Sequence, residues 1–237
     1  MLIEHRAYTP RAGNLDGFLD AQRERGFPLM QPVLDRLIGY FITRSGPETQ
    51  VVHLYRFDDY NDWVARLHGL YKVDALQPYF RKVRPLLSAQ ENKFLVPAPA
   101  TELTPIWGNG NDWLPGMPIP AAARLGPDSL IEETTCAMMP GGVPLYFQAF
   151  QDHGLAMGPL VGANALGCFT SVVGRLHEVV HYRAFPDFAA CGAHQEALRT
   201  NPHWRAFMRA IAPMTGSVER KLMTPVPIRE MSPLVIQ

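Results

Sequence analysis

The chain has 237 residues, with 22 Lys+Arg against 22 Asp+Glu and 47% hydrophobic residues. That length can bury one large core or two small ones, and the composition is that of a globular chain, not a disordered one. The even charge balance supplies no field that would gather nucleic acid or an anionic membrane surface, so neither is an expected partner.

The N-terminal stretch MLIEHRAYT alternates from its second residue, which predicts a strand over residues 2–9. It has no basic region followed by a long apolar core, so no signal peptide is expected. No apolar run approaches the roughly 20 residues of a membrane helix, and a cytoplasmic protein is the expectation. From Asn14 the period becomes helical: Leu15, Phe18 and Leu19 form an i, i+3, i+4 stripe that Gly26 would end in a left-handed cap. Two strands, residues 36–44 and 50–57, flank an SGPE turn. Asp59 can cap a second helix, docked through Trp63, Leu67 and Leu70. A further helical stretch stops at Pro85, and residues 90–96 read as a last strand.

Residues 100–128 form a Pro/Gly-rich linker that carries Trp107 and Trp113. Two tryptophans predict that it packs on the surface, either over a pocket mouth or as a strap between sheets. Its GNGND run lacks the strand-to-helix setting of a phosphate loop and reads as turns.

Beyond the linker the chain repeats itself. A shift of 128 aligns Ile3–Pro99 with Ile131–Pro227 without a gap. Gly39-Tyr40-Phe41 meets Gly167-Cys168-Phe169, and QVVHLYRF from Gln50 meets EVVHYRAF from Glu178. Phe57, Asp59 and Pro85 meet Phe185, Asp187 and Pro213, and Glu91 and Lys93 meet Glu219 and Lys221. In the second copy Gly154 is the expected left-handed cap, and NPHWRAFMRAI opens a helix with Asn201 as cap and Pro202 in its first turn.

Each copy therefore reads β-α-β-β-α-β, a ferredoxin-like unit with helices on one face of a four-stranded antiparallel sheet. The other face must be buried, and the second copy is the natural cover. The expected fold is α+β: two tandem ferredoxin-like repeats, residues 1–99 and 129–237, that form a pseudo-dimeric α+β barrel. Such a chain can close a barrel as a monomer, while pairing into a homodimer through its helix faces stays open.

The segments IEHRAYTPRAGNLDGFLDAQRERGFPL, GYFITRSGPETQVVHLYRFDD and VRPLLSAQENKFLVPAP resemble the NIPSNAP family, as do NPHWRAFMRAIAP and VVHYRAF in the second copy. The resemblance implies the dimeric α+β barrel fold. It carries over no catalytic motif.

Candidate site residues follow from strand alternation. His53 shares a face with Val51, Tyr55 and Phe57, and it is either a general acid/base in a dry pocket or a packed core histidine. Arg6 and Tyr8 share a face with Glu4, where Arg6 can bind an anion and Tyr8 can donate a hydrogen bond. His53, Tyr55, Arg6 and Tyr8 are thus the catalytic candidates, and His181, Arg183 and Trp113 the ligand-binding ones. Second-copy Thr134 and Cys136 replace Arg6 and Tyr8. Glu4 with Lys93 and Glu132 with Lys221 are expected as cross-strand ion pairs.

No metal and no cofactor are expected. His177 and His181 would stand about 13 Å apart on a strand, and Cys136, Cys168 and Cys191 form no CxxC pair. The cysteines read as buried thiols in a reducing compartment. Two functions remain: a protein that binds or processes a small organic molecule in a sheet–helix pocket, or a scaffold that docks another protein.

Overall fold

The computed structural model describes residues 1–47, 49–108 and 110–236, with the side chain of Ala122 left aside. Glu48 of the SGPE turn and Asn109 of GNGND lie outside them.

Alternating apolar and polar residues build eight strands: β1 (Leu2–Pro10), β2 (Leu37–Ser45), β3 (Val51–Phe57), β4 (Leu87–Pro97), β5 (Leu130–Met138), β6 (Ala165–Val173), β7 (Glu178–Phe185) and β8 (Thr215–Pro225). All pair antiparallel and close in the order β1-β3-β2-β8-β5-β7-β6-β4. Each repeat contributes four adjacent strands. The seams are β2 with β8, through Phe41 and Pro225, and β4 with β6, through Leu95 and Ser171. Closure leaves no free sheet edge and needs no second chain. In this ring β1 lies across from β5, and β3 from β7.

Helices cover the outer face. Residues Leu15–Arg25 and Tyr60–Tyr71 serve the first repeat, and Gly142–Ala149, Phe188–Thr200 and Pro202–Ile211 serve the second. The expected side-chain caps are in place. The Asp59 and Asp187 carboxylates accept from the backbone N–H of Asp62 and Ala190, and the Asn201 side chain accepts from His203 and Trp204. Gly26 has a positive φ of 72° at its helix end, but its ψ of 178° is extended, so it is not the αL cap expected. Gly154 differs: its φ of −65° is right-handed, and it lies inside a wide π-helical turn over Phe150–Gly154. A positive-φ glycine follows four residues on, at Gly158, with φ of 61° and ψ of −134°.

Three large apolar cores follow among the described residues. Two lie between sheet and helices, one per repeat, and the third fills one end of the barrel, while Leu130, Phe185 and Cys191 form a small fourth cluster among the described residues. The barrel core explains the shared Gly-x-Phe motif. A Cβ on Gly39 would stand 2.5 Å from the Phe41 ring, and one on Gly167 2.6 Å from the Phe169 ring. Only glycine lets each ring fold back across its own strand into the lumen.

The linker does more than line the surface. Ile106, Trp107, Trp113 and Leu125 are buried in the same cluster as Ile3, Phe41, Ile131 and Met223, and Leu234 of the tail joins them. The two segments plug one end of the barrel. Trp107 Nε1 donates to the carbonyl of Trp113 at 3.0 Å, and Arg56 Nε donates to Asp112 at 2.7 Å. So many apolar side chains cannot be satisfied on a wet surface, and the open barrel end is the nearest dry volume.

The rest of the lumen is polar. His5 of β1 and Glu133 of β5 occupy equivalent positions in the two repeats and meet across the barrel at 3.0 Å. Tyr182 donates to Glu133 at 2.8 Å, and Lys221 stands 3.5 Å from it. Two further contacts obey the same pseudo-twofold relation: Lys93 to Glu178 at 2.7 Å and Lys221 to Gln50 at 2.9 Å. This overturns the expected Glu4–Lys93 and Glu132–Lys221 pairs. Lys93 lies opposite His5 and Lys221 opposite Glu133, a register one residue away from the expected one. One residue of register changes the face, so both lysines point into the lumen while Glu4 and Glu132 point at the helices.

Candidate functional site

The helix-facing side of each sheet carries the same histidine in a different setting. In the first repeat the structure brings His53, Tyr55, Arg6 and Tyr8 together. The His53 ring stacks on Tyr40 with centroids 4.2 Å apart and meets the edge of Tyr8 at 4.5 Å. Its Nδ1 shares a hydrogen bond with the Tyr55 hydroxyl at 3.1 Å, and that hydroxyl donates to Tyr40 at 3.2 Å. Burial, then the nearby Arg6 charge, hold His53 well below the usual histidine range. Arg6 Nε pairs with Glu4 at 2.8 Å, and the guanidinium lies over the Tyr55 ring. Burial opposes the Arg6 charge, but Glu4, Tyr55 and Tyr8 together outweigh it and raise the Arg6 pKa. The space around His53 is taken by rings. The opening nearby is a shallow polar cleft of about 260 Å³ on the outer side of Glu4, Arg6 and Tyr8.

In the second repeat the tyrosines at these positions are gone. Positions 8, 40 and 55 become Cys136, Cys168 and Arg183, and Phe18 becomes Tyr146. Two phenol rings shrink to thiols, and a cavity of about 70 Å³ opens between sheet and helices. Its floor holds Glu132, Cys136, His181 and Arg183, and its walls Tyr146, Phe150, Leu198 and Phe207. Tyr146 reaches from its helix to His181 Nε2 at 2.7 Å, with the Cys168 sulfur 3.7 Å away. Burial, and secondarily Arg183, lower the His181 pKa to about 3. The ring is therefore neutral at physiological pH. The same burial pushes the Cys136 thiol up to about 11, so it is no thiolate nucleophile.

Glu132 anchors the polar corner. It accepts from Gln195 at 2.7 Å and Thr134 at 3.4 Å, with the Cys191 thiol at 3.7 Å and Arg220 at 3.4 Å. Arg183 stands 4.0 Å from it, beyond hydrogen-bond reach.

His181 and Arg183 thus lie together in the cavity. Trp113 does not join them, because it packs in the barrel plug on the opposite face of the sheet. Tyr146 was not legible as a site residue, although an aromatic stripe gaining a hydroxyl between otherwise matched helices was its available signal. Among the described residues no group of three or more His, Cys, Asp and Glu could hold a metal ion, and no helix is long and apolar enough to cross a membrane.

Two ferredoxin-like repeats closed into one eight-stranded barrel, with one histidine pocket filled and the other hollow, define a pseudo-dimeric α+β barrel protein. The NIPSNAP family model matches residues 3–101 and 131–230, and the chain belongs to that family. No curated protein shows significant similarity to it. A NIPSNAP family protein from Agrobacterium tumefaciens is 31% identical over 42% of this chain and 94% of its own, with a TM-score of 0.40. A NIPSNAP-like domain protein from Burkholderia xenovorans is 37% identical over 42% of this chain and 86% of its own, with a TM-score of 0.39. A putative monooxygenase from Fusobacterium nucleatum aligns with 95% of this chain and 92% of its own at 9% identity and a TM-score of 0.57. That last likeness shows the fold over the full length and carries no residue across.

Proposed function

We propose that this NIPSNAP protein binds a small organic molecule in the cavity of its second repeat. The observation that carries the reading is the replacement of Tyr8 by Cys136 at the cavity floor, with Cys168 in place of Tyr40 behind it, which hollows the second of two sites built around a retained histidine. A neutral imidazole bonded to a buried phenol offers polar contacts to a bound molecule, with the charge of Arg183 beside them to favour an anionic group. Side chains alone supply this chemistry, with no metal or nucleotide called on. A docking scaffold would have no use for an enclosed cavity ringed by His181, Arg183 and Tyr146.

The test is to restore the first repeat's residue. Cys136→Tyr should fill the cavity and abolish small-molecule binding seen by ligand-observed NMR, while the far-ultraviolet circular dichroism stays that of the wild type. Ligands that bind Cys136→Tyr as well as wild type would refute the reading.

A further inference from the structure

The polar corner of the second cavity has one cation too many. Arg183 and Arg220 share a single carboxylate there, Glu132. That carboxylate is already engaged by Gln195, Thr134, the Cys191 thiol and Arg220. Arg183 is 8% exposed, makes no hydrogen bond among the described residues, and leaves its Nε without a partner. Its nearest carboxylate oxygen is the 4.0 Å contact to Glu132. A guanidinium carries five N–H donors in a planar fork shaped for a carboxylate, and burying it without a hydrogen-bonded partner is costly.

The first repeat shows the paired version, in which the guanidinium contacts its carboxylate directly although Arg6 Nη2 and Glu4 Oε2 stay without a partner. There the arginine sits one strand over, at Arg6, and pairs with Glu4 at 2.8 Å. In the second repeat that position is Thr134, and the arginine has moved to the position of Tyr55. The carboxylate kept its place while the guanidinium left it and turned into the cavity. Arg220 is half exposed and screened by water, so what an anion would satisfy is the unmet donors of buried Arg183.

Size narrows the class further. A dry cavity of about 150 Å³ holds benzene, with six non-hydrogen atoms, so about 70 Å³ encloses roughly half that number. Met157 and Met208 line the wall, and methionine yields to an occupant more readily than a branched side chain. The π-helical turn at Phe150–Gly154 borders the same space, and such turns concentrate at functional sites.

We propose that the second-repeat cavity, widened as Met157 and Met208 yield, receives a short-chain carboxylate of about four or five non-hydrogen atoms. The carboxylate lies on Arg183, and the alkyl end packs against Phe150, Leu198 and Phe207. This rests on the reading of the cavity as a ligand site, and it names the ligand class.

The experiment compares propionate, its neutral isostere propionamide, octanoate and xenon on the full chain, by calorimetry for the three organic probes and by NMR for xenon. Propionate should bind at least tenfold more tightly than propionamide. Arg183→Lys and Arg183→Gln should each lose that preference, with propionamide affinity unchanged. Equal binding of propionate and propionamide to wild type, a comparison that needs no variant, overturns the assignment of an anion. Octanoate binding more tightly than propionate overturns the size limit. Xenon separates the two levels. Xenon bound in wild type and lost in Cys136→Tyr, with no propionate preference, defeats this inference and leaves the cavity reading standing. No xenon binding defeats both.

Discussion

Glu133→Gln is the sharpest perturbation of the barrel. Glu133 accepts from His5 at 3.0 Å and Tyr182 at 2.8 Å, with Lys221 at 3.5 Å, all inside the lumen. A hydrogen bond to a charged group contributes about 1.5–3 kcal/mol, and removing one partner of a buried charge cluster costs about 3–5 kcal/mol. The amide also turns donors toward a lysine that needs an acceptor. We expect a loss of about 3–5 kcal/mol in urea unfolding and, for a chain of this size, a fall in Tm on the order of 10 °C. The pH dependence has a fixed sign. Burial alone would push the Glu133 carboxyl up, but His5, Lys221 and Lys93 outweigh it and hold it well below its ordinary 4.5. A carboxylate depressed in the folded state contributes stability that is fully present above 4.5 and is lost as pH falls through the folded value. The gap between wild type and variant should therefore be widest near neutrality and shrink below pH 4.5. A gap under about 0.5 kcal/mol at pH 7, or one that does not narrow at pH 3, would refute the reasoning.

Trp107→Ala should cost about 3–5 kcal/mol in urea unfolding, because it removes a buried indole from the barrel plug and the donor to the Trp113 carbonyl. A loss below about 1 kcal/mol would make the linker a surface strap after all. His181 should stay neutral down to about pH 3 in an NMR titration of the folded protein, against 6.5 when unfolded. Since the folded state then binds fewer protons, His181 erodes stability as pH falls from 6.5, by up to about 1.4 kcal/mol per unit. A midpoint near 6.5 in the folded protein would show that the ring is solvated and the cavity wet.

Much of the fold was legible because its signals are local or repeated. The strand alternation, the caps at Asp59, Asp187 and Asn201, and the 128-residue shift each depend on residues close in sequence or on comparison of the chain with itself. Gly39 and Gly167 marked a demanding backbone, although the reason, a phenylalanine ring folding back over each, is visible only in three dimensions. The candidate site was half legible. His181 and Arg183 could be placed on one face by parity, and the change from Tyr8 to Cys136 could be read directly.

What the sequence alone determined about this protein is its duplicated β-α-β-β-α-β plan and the face each strand residue occupies within its own strand. Tertiary structure decided everything that depends on register or on meetings between distant residues. A one-residue register difference sent Lys93 and Lys221 into the lumen instead of to Glu4 and Glu132. Barrel closure brought His5 to Glu133, 128 positions apart, onto one hydrogen bond. The hollow beside His181 is set by volume: two thiols where the first repeat has two phenols leave space that neighbouring helices, held by their own cores, do not close.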